Sequence, residues 1–232
     1  MNLEQLPLGL EVRSPSRLED YIPGDNEPLL ELMRQQLQAD GETQLYIHGP
    51  KGCGRTHLLL GQCNAARALG WSPAYLPAEE LASLSPALLE GMEQAPLIAV
   101  DDVDQLAGRK DWEQALFGLF NRARERGGRL LFSAGKAPAA AGFGLPDLSS
   151  RLAWGVSYRI KPLQDPQREL LLIRIAQRRG LEMPSEVARY LLQRHSRDVS
   201  ALTRLIERLD RDSLAEQRRL TIPFVRTRLK RR

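Results

Sequence analysis

Short apolar runs alternate with amphipathic segments along the first two thirds of the chain. The runs that indicate buried strands are residues 44–49, 71–77, 96–102, 129–135 and 155–160. Apolar residues recur at helical intervals in the segments 29–38, 55–70 and 111–128, with one or two short helices in 81–92. This periodicity distinguishes strand from helix. Strands that alternate with helices predict right-handed βαβ units and therefore an α/β fold with a doubly wound parallel sheet flanked by helices.

The pattern changes after Pro162, where only helical periodicity continues. The helical segments there are 165–180, 184–196, 198–217 and 221–232. We therefore predict three parts. They are an extended arm over 1–19, an α/β domain over 20–161 and a small helical domain over 162–232.

The composition is that of an ordinary soluble globular protein, with 42% apolar and 27% charged residues among 232. No apolar run is long enough to span a bilayer, and the first residues lack the basic and apolar regions of a signal peptide. We expect a cytoplasmic protein in which Cys53 and Cys63 stay reduced. The three histidines do not cluster with cysteine or carboxylate, so we expect no metal centre built from them.

Residues 49–56 read GPKGCGRT and lie between a predicted strand and a predicted helix. This is the phosphate-binding pattern G-x-x-x-x-G-K-[ST], with Arg55 in the place of the lysine. Arginine is longer, planar and forked, so it cannot simply replace the compact ammonium group that reaches the β- and γ-phosphates. The alternative interpretation is a glycine-rich turn that binds no ligand.

The remainder of the pattern favours a nucleotide site. Glycines let the backbone curl so that its N–H groups face phosphates, and the helix that follows adds the positive end of its dipole. Thr56 supplies the hydroxyl expected on Mg²⁺. The loop residues predicted to contact the nucleotide are Gly49, Gly52, Cys53, Gly54, Arg55 and Thr56.

Two carboxylates, Asp101 and Asp102, end the apolar run LIAV. An acidic residue at the end of such a strand is where P-loop NTPases place the residue that orients the metal. Asp101 is therefore predicted to hold Mg²⁺ through water, and Asp102 to polarise the attacking water. The alternative is that the pair only solvates the end of a strand.

The loop GPKGCGRT, the strand LIAVDDVDQL, the segment FGLPDLSSRLAWG and the helical C-terminal part together resemble the AAA+ family. Within it, residues 15–232 are similar to the bacterial replication initiator DnaA and to its short homologues of the Hda family. Three features favour the Hda family. They are the loop arginine, an end without the initiator's DNA-binding domain, and the N-terminal peptide QLPLGL. The resemblance implies a AAA+ P-loop NTPase domain with a small helical lid.

The resemblance also implies roles outside the loop. Arg151, on a short helix, corresponds to the arginine finger that reaches the γ-phosphate of a neighbouring protomer, a contact that contributes about 10³ to 10⁵ in rate. Ser133 stands at the sensor-1 position and would align the attacking water. Ala134 and Gly135, which follow it, offer no side-chain donor, and this argues against efficient hydrolysis.

The sensor-2 position, normally an arginine in this family, aligns with Ser200. Arg197 lies one turn before it and Arg204 one turn after it, so either could substitute. We favour Arg204 because it shares a helix face with Ser200.

Residues 18–26, LEDYIPGDN, match the family's adenine-binding segment. Tyr21 and Ile22 would form an apolar wall against the base, and Asn26 would hydrogen-bond it. Simple core packing is the alternative for Tyr21.

The peptide QLPLGL is similar to the motif by which Hda proteins dock on the DNA sliding clamp. Its leucines have no evident partner within the chain, and an extended peptide can present alternate side chains to pockets on another protein. The predicted clamp-binding residues are Gln5, Leu6, Leu8 and Leu10. A terminal arm that packs on its own domain is the alternative.

The function implied is that of an ADP-bound regulator, with ATP as the other candidate ligand and Mg²⁺ as the metal. Its own hydrolysis would be slow or absent, and Arg151 would promote hydrolysis of ATP bound to DnaA. The expected partners are the sliding clamp, DnaA and a second AAA+ protomer, in a homodimer or larger assembly. DNA contact would be weak or indirect, association with the nucleoid would run through the clamp, and no membrane is involved.

Two other classes share this fold. One is an active loader or motor ATPase, such as a helicase loader, against which the missing lysine counts. The other is a DNA-binding paralogue of the initiator, against which the modest net charge of +4 counts. The basic end RTRLKRR leaves contact with DNA open.

Overall fold

The computed structural model describes residues 16–194, 199–216 and 219–230. The strands within them are β1 (Gln44–His48), β2 (Ala74–Pro77), β3 (Leu97–Asp101), β4 (Arg129–Ala134) and β5 (Val156–Arg159). They form one sheet in the order β2-β3-β4-β1-β5, and every pair is parallel. This confirms the predicted α/β fold. Strand β2 is shorter than predicted and begins after Pro73, which has no N–H for a sheet ladder.

Helices connect and cover the strands. Those of the first part are α1 (Glu27–Gln36), α2 (Arg55–Ala68), α3 (Ala78–Leu81), α4 (Lys110–Glu125) and α5 (Pro146–Leu152). The C-terminal part contains α6 (Asp165–Arg178), α7 (Ser185–Arg194), α8 (Val199–Glu216) and α9 (Ile222–Lys230). The segment 81–92, predicted to hold one or two short helices, contains the end of α3 and the 3₁₀ turn Pro86–Leu89, and a second 3₁₀ turn, Met92–Gln94, begins at its last residue.

The sheet is buried on both faces because its central strands carry apolar residues at successive positions. Leu45 and Ile47 of β1 pack with α1 and α2, whereas Tyr46 between them packs on the opposite face with α4. Strand β3 divides in the same way, with Leu97 and Ala99 on the first face. Two helix layers therefore sandwich the sheet, as expected for parallel strands.

The C-terminal helices form a core of their own from leucines and other apolar residues on α6, α7, α8 and α9. This agrees with the predicted helical lid. In the part of the chain that the structure describes, no helix has both the length and the apolar character that crossing a membrane requires.

A buried carboxylate organises the loops around α5. Glu113 of α4 is 2% exposed and accepts hydrogen bonds from the backbone N–H groups of Gly108, Gly144 and Leu145, at 2.6, 3.0 and 2.6 Å. Leu145 is the residue just before α5. The carboxylate thereby attaches the start of α5 to α4.

Replacing this carboxylate should destabilise the protein. Glu113→Gln puts an amide NH₂ where two oxygens accept backbone hydrogens, and leaving one buried donor unsatisfied costs about 1–3 kcal/mol. We expect a loss of that size in the free energy of unfolding, measured by urea denaturation. Glu125→Gln, the same change at an exposed site on α4, is the matched control. Equal midpoints for the two variants would contradict this role.

Candidate functional site

The loop between β1 and α2 has the backbone geometry of a phosphate loop. Gly52 and Gly54 adopt φ of 81° and 96°, in the left-handed region that favours glycine, and Gly54 caps the N-terminus of α2. A Cβ at Gly49 would lie 2.9 Å from Sγ of Cys53, so the loop closes tightly on itself. The curled backbone and the N-terminus of a 14-residue helix together form a site suited to binding an anion.

Tyr21 lies directly against this loop. Its hydroxyl donates to the carbonyl of Cys53 at 3.2 Å, and a Cβ on Gly54 would lie 2.8 Å from its Cε2 atom. The ring also stacks on His57, with 6.1 Å between centroids. Tyr21 and Ile22 are both buried, at 9% and 4% exposure. Tyr21 therefore packs in the core and supports the loop, whether or not it also meets a base.

Arg55, the first residue of α2, does not extend freely from the loop. Its Nε and Nη2 each lie 2.8 Å from Oδ1 of Asp102, and its Nη1 donates to the carbonyl of Gly49. The side chain is 12% exposed. The guanidinium therefore links the beginning of the loop to the end of β3. The sequence predicted a cation near the phosphates, but it did not predict this ion pair.

Both oxygens of Asp101 are engaged by neighbouring strands. Oδ2 accepts from the hydroxyl of Tyr75 at 2.9 Å, and Oδ1 accepts from the hydroxyl of Ser133. The Ser133 oxygen also accepts from the backbone N–H of Asp102 at 2.8 Å. Asp101 is 5% exposed. Ser133, predicted to align a water, thus acts here as the connection between the two aspartates.

Asp102 has a backbone conformation that is uncommon for residues other than glycine. Its φ is 51°, and no other non-glycine residue in the described ranges has a positive φ. Aspartate tolerates this region better than most residues. The turn directs the chain away from β3 and places the carboxylate where Arg55 reaches it. An unusual backbone at this position is typical of a functional site.

The carboxylates do not fit the predicted magnesium site. Mg²⁺ takes oxygen ligands in a strict octahedron and keeps several waters around it. Asp101 is buried with both oxygens hydrogen-bonded, and Oδ1 of Asp102 accepts from Nε of Arg55 and lies 2.8 Å from its Nη2. Among the described residues, no group of three or more His, Cys, Asp or Glu side chains could hold a metal. Thr56 is exposed and has no part in this cluster.

Burial keeps the other titratable groups around the loop neutral. It raises the pKa of the Cys53 thiol, an effect that Arg55 opposes. Burial also raises the pKa of Tyr75, and the charge of Asp101 adds to it, so the phenol remains a hydrogen-bond donor. The pKa of His57 is lowered by burial. The charged side chains of this cluster are Arg55 and the two aspartates, and the loop also carries the exposed Lys51.

The side chain of Asn26 links two backbone segments through hydrogen bonds. Its amide donates to the carbonyls of Pro23 and Lys161, both at 2.9 Å, and its oxygen accepts from the N–H of Lys161 at 2.7 Å. These bonds tie the entry of α1 to the residues after β5. The predicted contact with a base differs from this arrangement, because both amide hydrogens already have protein acceptors.

Arg151 lies at the opposite end of the sheet from the phosphate loop. Gln44, which begins β1, donates its side-chain amide to the carbonyls of Arg151 and Leu152, at 2.9 and 3.0 Å. The residues from Gln44 to Gly49 cover about 16 Å at the strand rise of ~3.3 Å per residue. The side chain of Arg151 therefore cannot reach a phosphate in the loop of its own chain.

An exposed indole accompanies Arg151 at this end. Trp154 is 51% exposed, and the guanidinium carbons of Arg124 and Arg151 lie 3.4 and 5.2 Å from its ring centre. The ring centre of Phe120 lies 5.9 Å from the same carbon of Arg151. Neither arginine forms a salt bridge within the described residues. A surface pocket of about 250 Å³ is lined in part by Phe120, Arg124 and Trp154.

The remaining predicted residues are less constrained. Arg204 lies exposed on α8, and its sensor-2 role stays a prediction. Arg197 and the arm with Gln5, Leu6, Leu8 and Leu10 fall outside the described residues, as does the side chain of Ser200.

Periodicity did not identify Tyr75, Gln44 or Trp154. Tyr75 precedes the end of β2 by two residues, and β2 is the neighbour of β3. A tyrosine close to the end of one predicted strand could therefore have been considered as a partner for carboxylates at the end of another. Gln44 and Trp154 gave no comparable signal.

Two family models match the chain. Residues 16–159 match the bacterial DnaA ATPase domain, and residues 165–229 match the Hda lid domain. The first match alone covers more than half of the chain.

Solved structures share the fold. Domain III of DnaA from Thermotoga maritima is 20% identical with a TM-score of 0.82, over 93% of this chain and 95% of that one. AMPPCP-bound DnaA from Aquifex aeolicus is 23% identical with a TM-score of 0.73, over 85% of this chain and 65% of that one. The Holliday junction branch migration motor RuvB from Thermotoga maritima is 15% identical with a TM-score of 0.71, over 93% of this chain and 72% of that one.

The loop geometry makes Gly54 a test of the site. Gly54→Ala places a methyl group against Tyr21 in a backbone region with φ of 96°, so the loop must shift. We expect the affinity for ADP to fall by at least about tenfold, measured by isothermal titration. Gly70→Ala is the control, because it has a similar φ of 82° but an open surrounding at the end of α2. Equal affinities in the two variants would contradict a nucleotide site at the loop.

Proposed function

Because the chain belongs to the family of bacterial DnaA ATPase domains, we propose that it is a nucleotide-bound AAA+ regulator of the initiator DnaA. In this proposal it holds ADP, docks on the DNA sliding clamp and stimulates hydrolysis of ATP bound to DnaA. Hydrolysis would inactivate the initiator and limit repeated initiation. The lid match at 165–229 supports the Hda type of regulator within the family.

The observation that carries this proposal is the separation of Arg151 from its own phosphate loop. The two lie at opposite ends of β1, so a phosphate that this guanidinium contacts would have to belong to another polypeptide. Arg151 is half-buried and has no carboxylate partner within the described residues, which leaves its charge available to an anion. A cation that completes a site in trans stabilises the charge that develops during phosphoryl transfer.

The state of Asp102 supports weak hydrolysis by the chain itself. A carboxylate that polarises an attacking water needs an unpaired oxygen directed at that water. Oδ1 of Asp102 accepts from Nε of Arg55 and lies 2.8 Å from its Nη2, and Oδ2 lies 3.5 Å from Nε2 of Gln105. The ion pair therefore occupies one oxygen of this carboxylate and fixes the orientation of the side chain. This disfavours the loader or motor ATPase as the main function.

Loss of the finger should abolish the effect on the partner. We expect Arg151→Ala to lower stimulated ATP hydrolysis by DnaA, on clamp-loaded DNA, by about 10³-fold, the lower end of the contribution of a trans arginine. Its affinity for ADP should not change, because Arg151 is remote from the loop. Arg126→Ala, at an exposed arginine beyond α4, is the control. Full stimulation by Arg151→Ala would refute the proposal.

The clamp interaction is tested separately. The double change Leu6→Ala and Leu8→Ala removes two of the apolar side chains offered to the clamp, and anchors of this kind carry about 2 kcal/mol or more each. We expect clamp binding, measured by surface plasmon resonance, to disappear. Leu3→Ala, which precedes the peptide, is the control. Unchanged binding by the double variant would remove the arm from the proposal.

A further inference from the structure

The guanidinium of Arg55 has more N–H groups than the surrounding protein oxygens accept. A guanidinium has five N–H groups in a fixed fork. Asp102 accepts one from Nε and lies 2.8 Å from Nη2, and the carbonyl of Gly49 accepts one from Nη1. At least one N–H on each terminal nitrogen therefore has no oxygen acceptor among the described residues. The neighbouring thiol of Cys53 is only a weak acceptor, so these hydrogens remain available to a stronger one.

The guanidinium of Arg55 lies where a cation would bridge the phosphates and the carboxylate at the end of β3. In P-loop NTPases, Mg²⁺ connects phosphate oxygens to the acidic residue at the strand end, and the loop lysine acts as a separate point charge. Arg55 already binds the strand-end carboxylate through its positively charged guanidinium. Its free N–H pair suits two phosphate oxygens, because arginine binds phosphate in a bidentate manner.

The surrounding carboxylates leave little for a metal to bind. Asp101 is buried, and its oxygens are held by Tyr75 and Ser133. A dication at Asp102 would share this carboxylate with the Arg55 guanidinium, two nitrogens of which lie 2.8 Å from Oδ1. Two cations on one carboxylate repel each other strongly in a partly buried site.

We propose that the loop binds a nucleoside diphosphate without Mg²⁺, with the Arg55 guanidinium as the cation that bridges Asp102 and the phosphates. The inference extends the nucleotide binding of the proposed function and rests on it. It changes the class of ligand from a magnesium–nucleotide complex to the free diphosphate. It also gives a reason for arginine at this position, since a lysine ammonium cannot bind a carboxylate and two phosphate oxygens in one plane.

The test is a calorimetric titration of the full-length protein with ADP, once in excess MgCl₂ and once in EDTA. The dissociation constants in the two buffers should agree within about threefold. If ADP binding weakens by about tenfold or more in EDTA, the inference is overturned and nucleotide binding stands. If ADP binds in neither buffer, the nucleotide part of the proposed function is overturned as well. The two failures are therefore distinguishable.

The variant Arg55→Lys tests whether binding of ADP without Mg²⁺ depends on Arg55. In EDTA, Arg55→Lys should bind ADP at least about tenfold more weakly than the native chain, because its single ammonium cannot bridge. Arg34→Lys, the same change on the exposed surface of α1, should bind as the native chain does. Equal affinity of Arg55→Lys and the native chain in EDTA would overturn the role of Arg55. If Arg55→Lys lacks the native circular dichroism spectrum, Arg55→Gln takes its place under the same criteria.

Discussion

The ion pair between Arg55 and Asp102 holds the candidate nucleotide site together. It joins the start of α2 to the end of β3, although β4 lies between β1 and β3 in the sheet. The backbone of Asp102 is bound in turn by Ser133, whose hydroxyl reaches Asp101. Removing one member of such a pair is costly because it leaves the other charge partly buried and unpaired. The loop, the acidic strand end and β4 therefore behave as one connected unit.

Arginine and lysine lead to different sites from the same loop backbone. A lysine ammonium on a flexible stem can follow a phosphate through a reaction, whereas a planar guanidinium that is anchored by a carboxylate and a carbonyl keeps its position. The glycine geometry of the loop is retained, with positive φ at Gly52 and Gly54. A site of this kind suits stable retention of a ligand better than turnover, which agrees with the function proposed above.

The sequence predicted the elements well and the contacts poorly, for a physical reason. Strands and helices follow from apolar periodicity over several residues, so the five strands and the junction at Arg55 were found close to their observed limits. The hydrogen-bond partner of a long polar side chain depends on which strands are neighbours in the sheet. No local sequence pattern indicates the order of the strands. The contact of Arg55 with Asp102 and that of Asn26 with the backbone of Lys161 were thus not predicted. The contacts of Gln44 and Tyr75 were not predicted, because a single polar residue produces no periodic pattern.

The attachment of Arg151 to Gln44 gives the molecule two unlike ends along a single strand direction. If one subunit offers its guanidinium to the loop of the next, the joining surfaces are different patches, and such a contact is heterologous. Heterologous contacts propagate in one direction and produce rings or open filaments, whereas a two-fold dimer pairs a patch with itself. An assembly built from such contacts has a polarity. A chain at one end of it offers Arg151 to its neighbour, and a chain at the other end offers its phosphate loop.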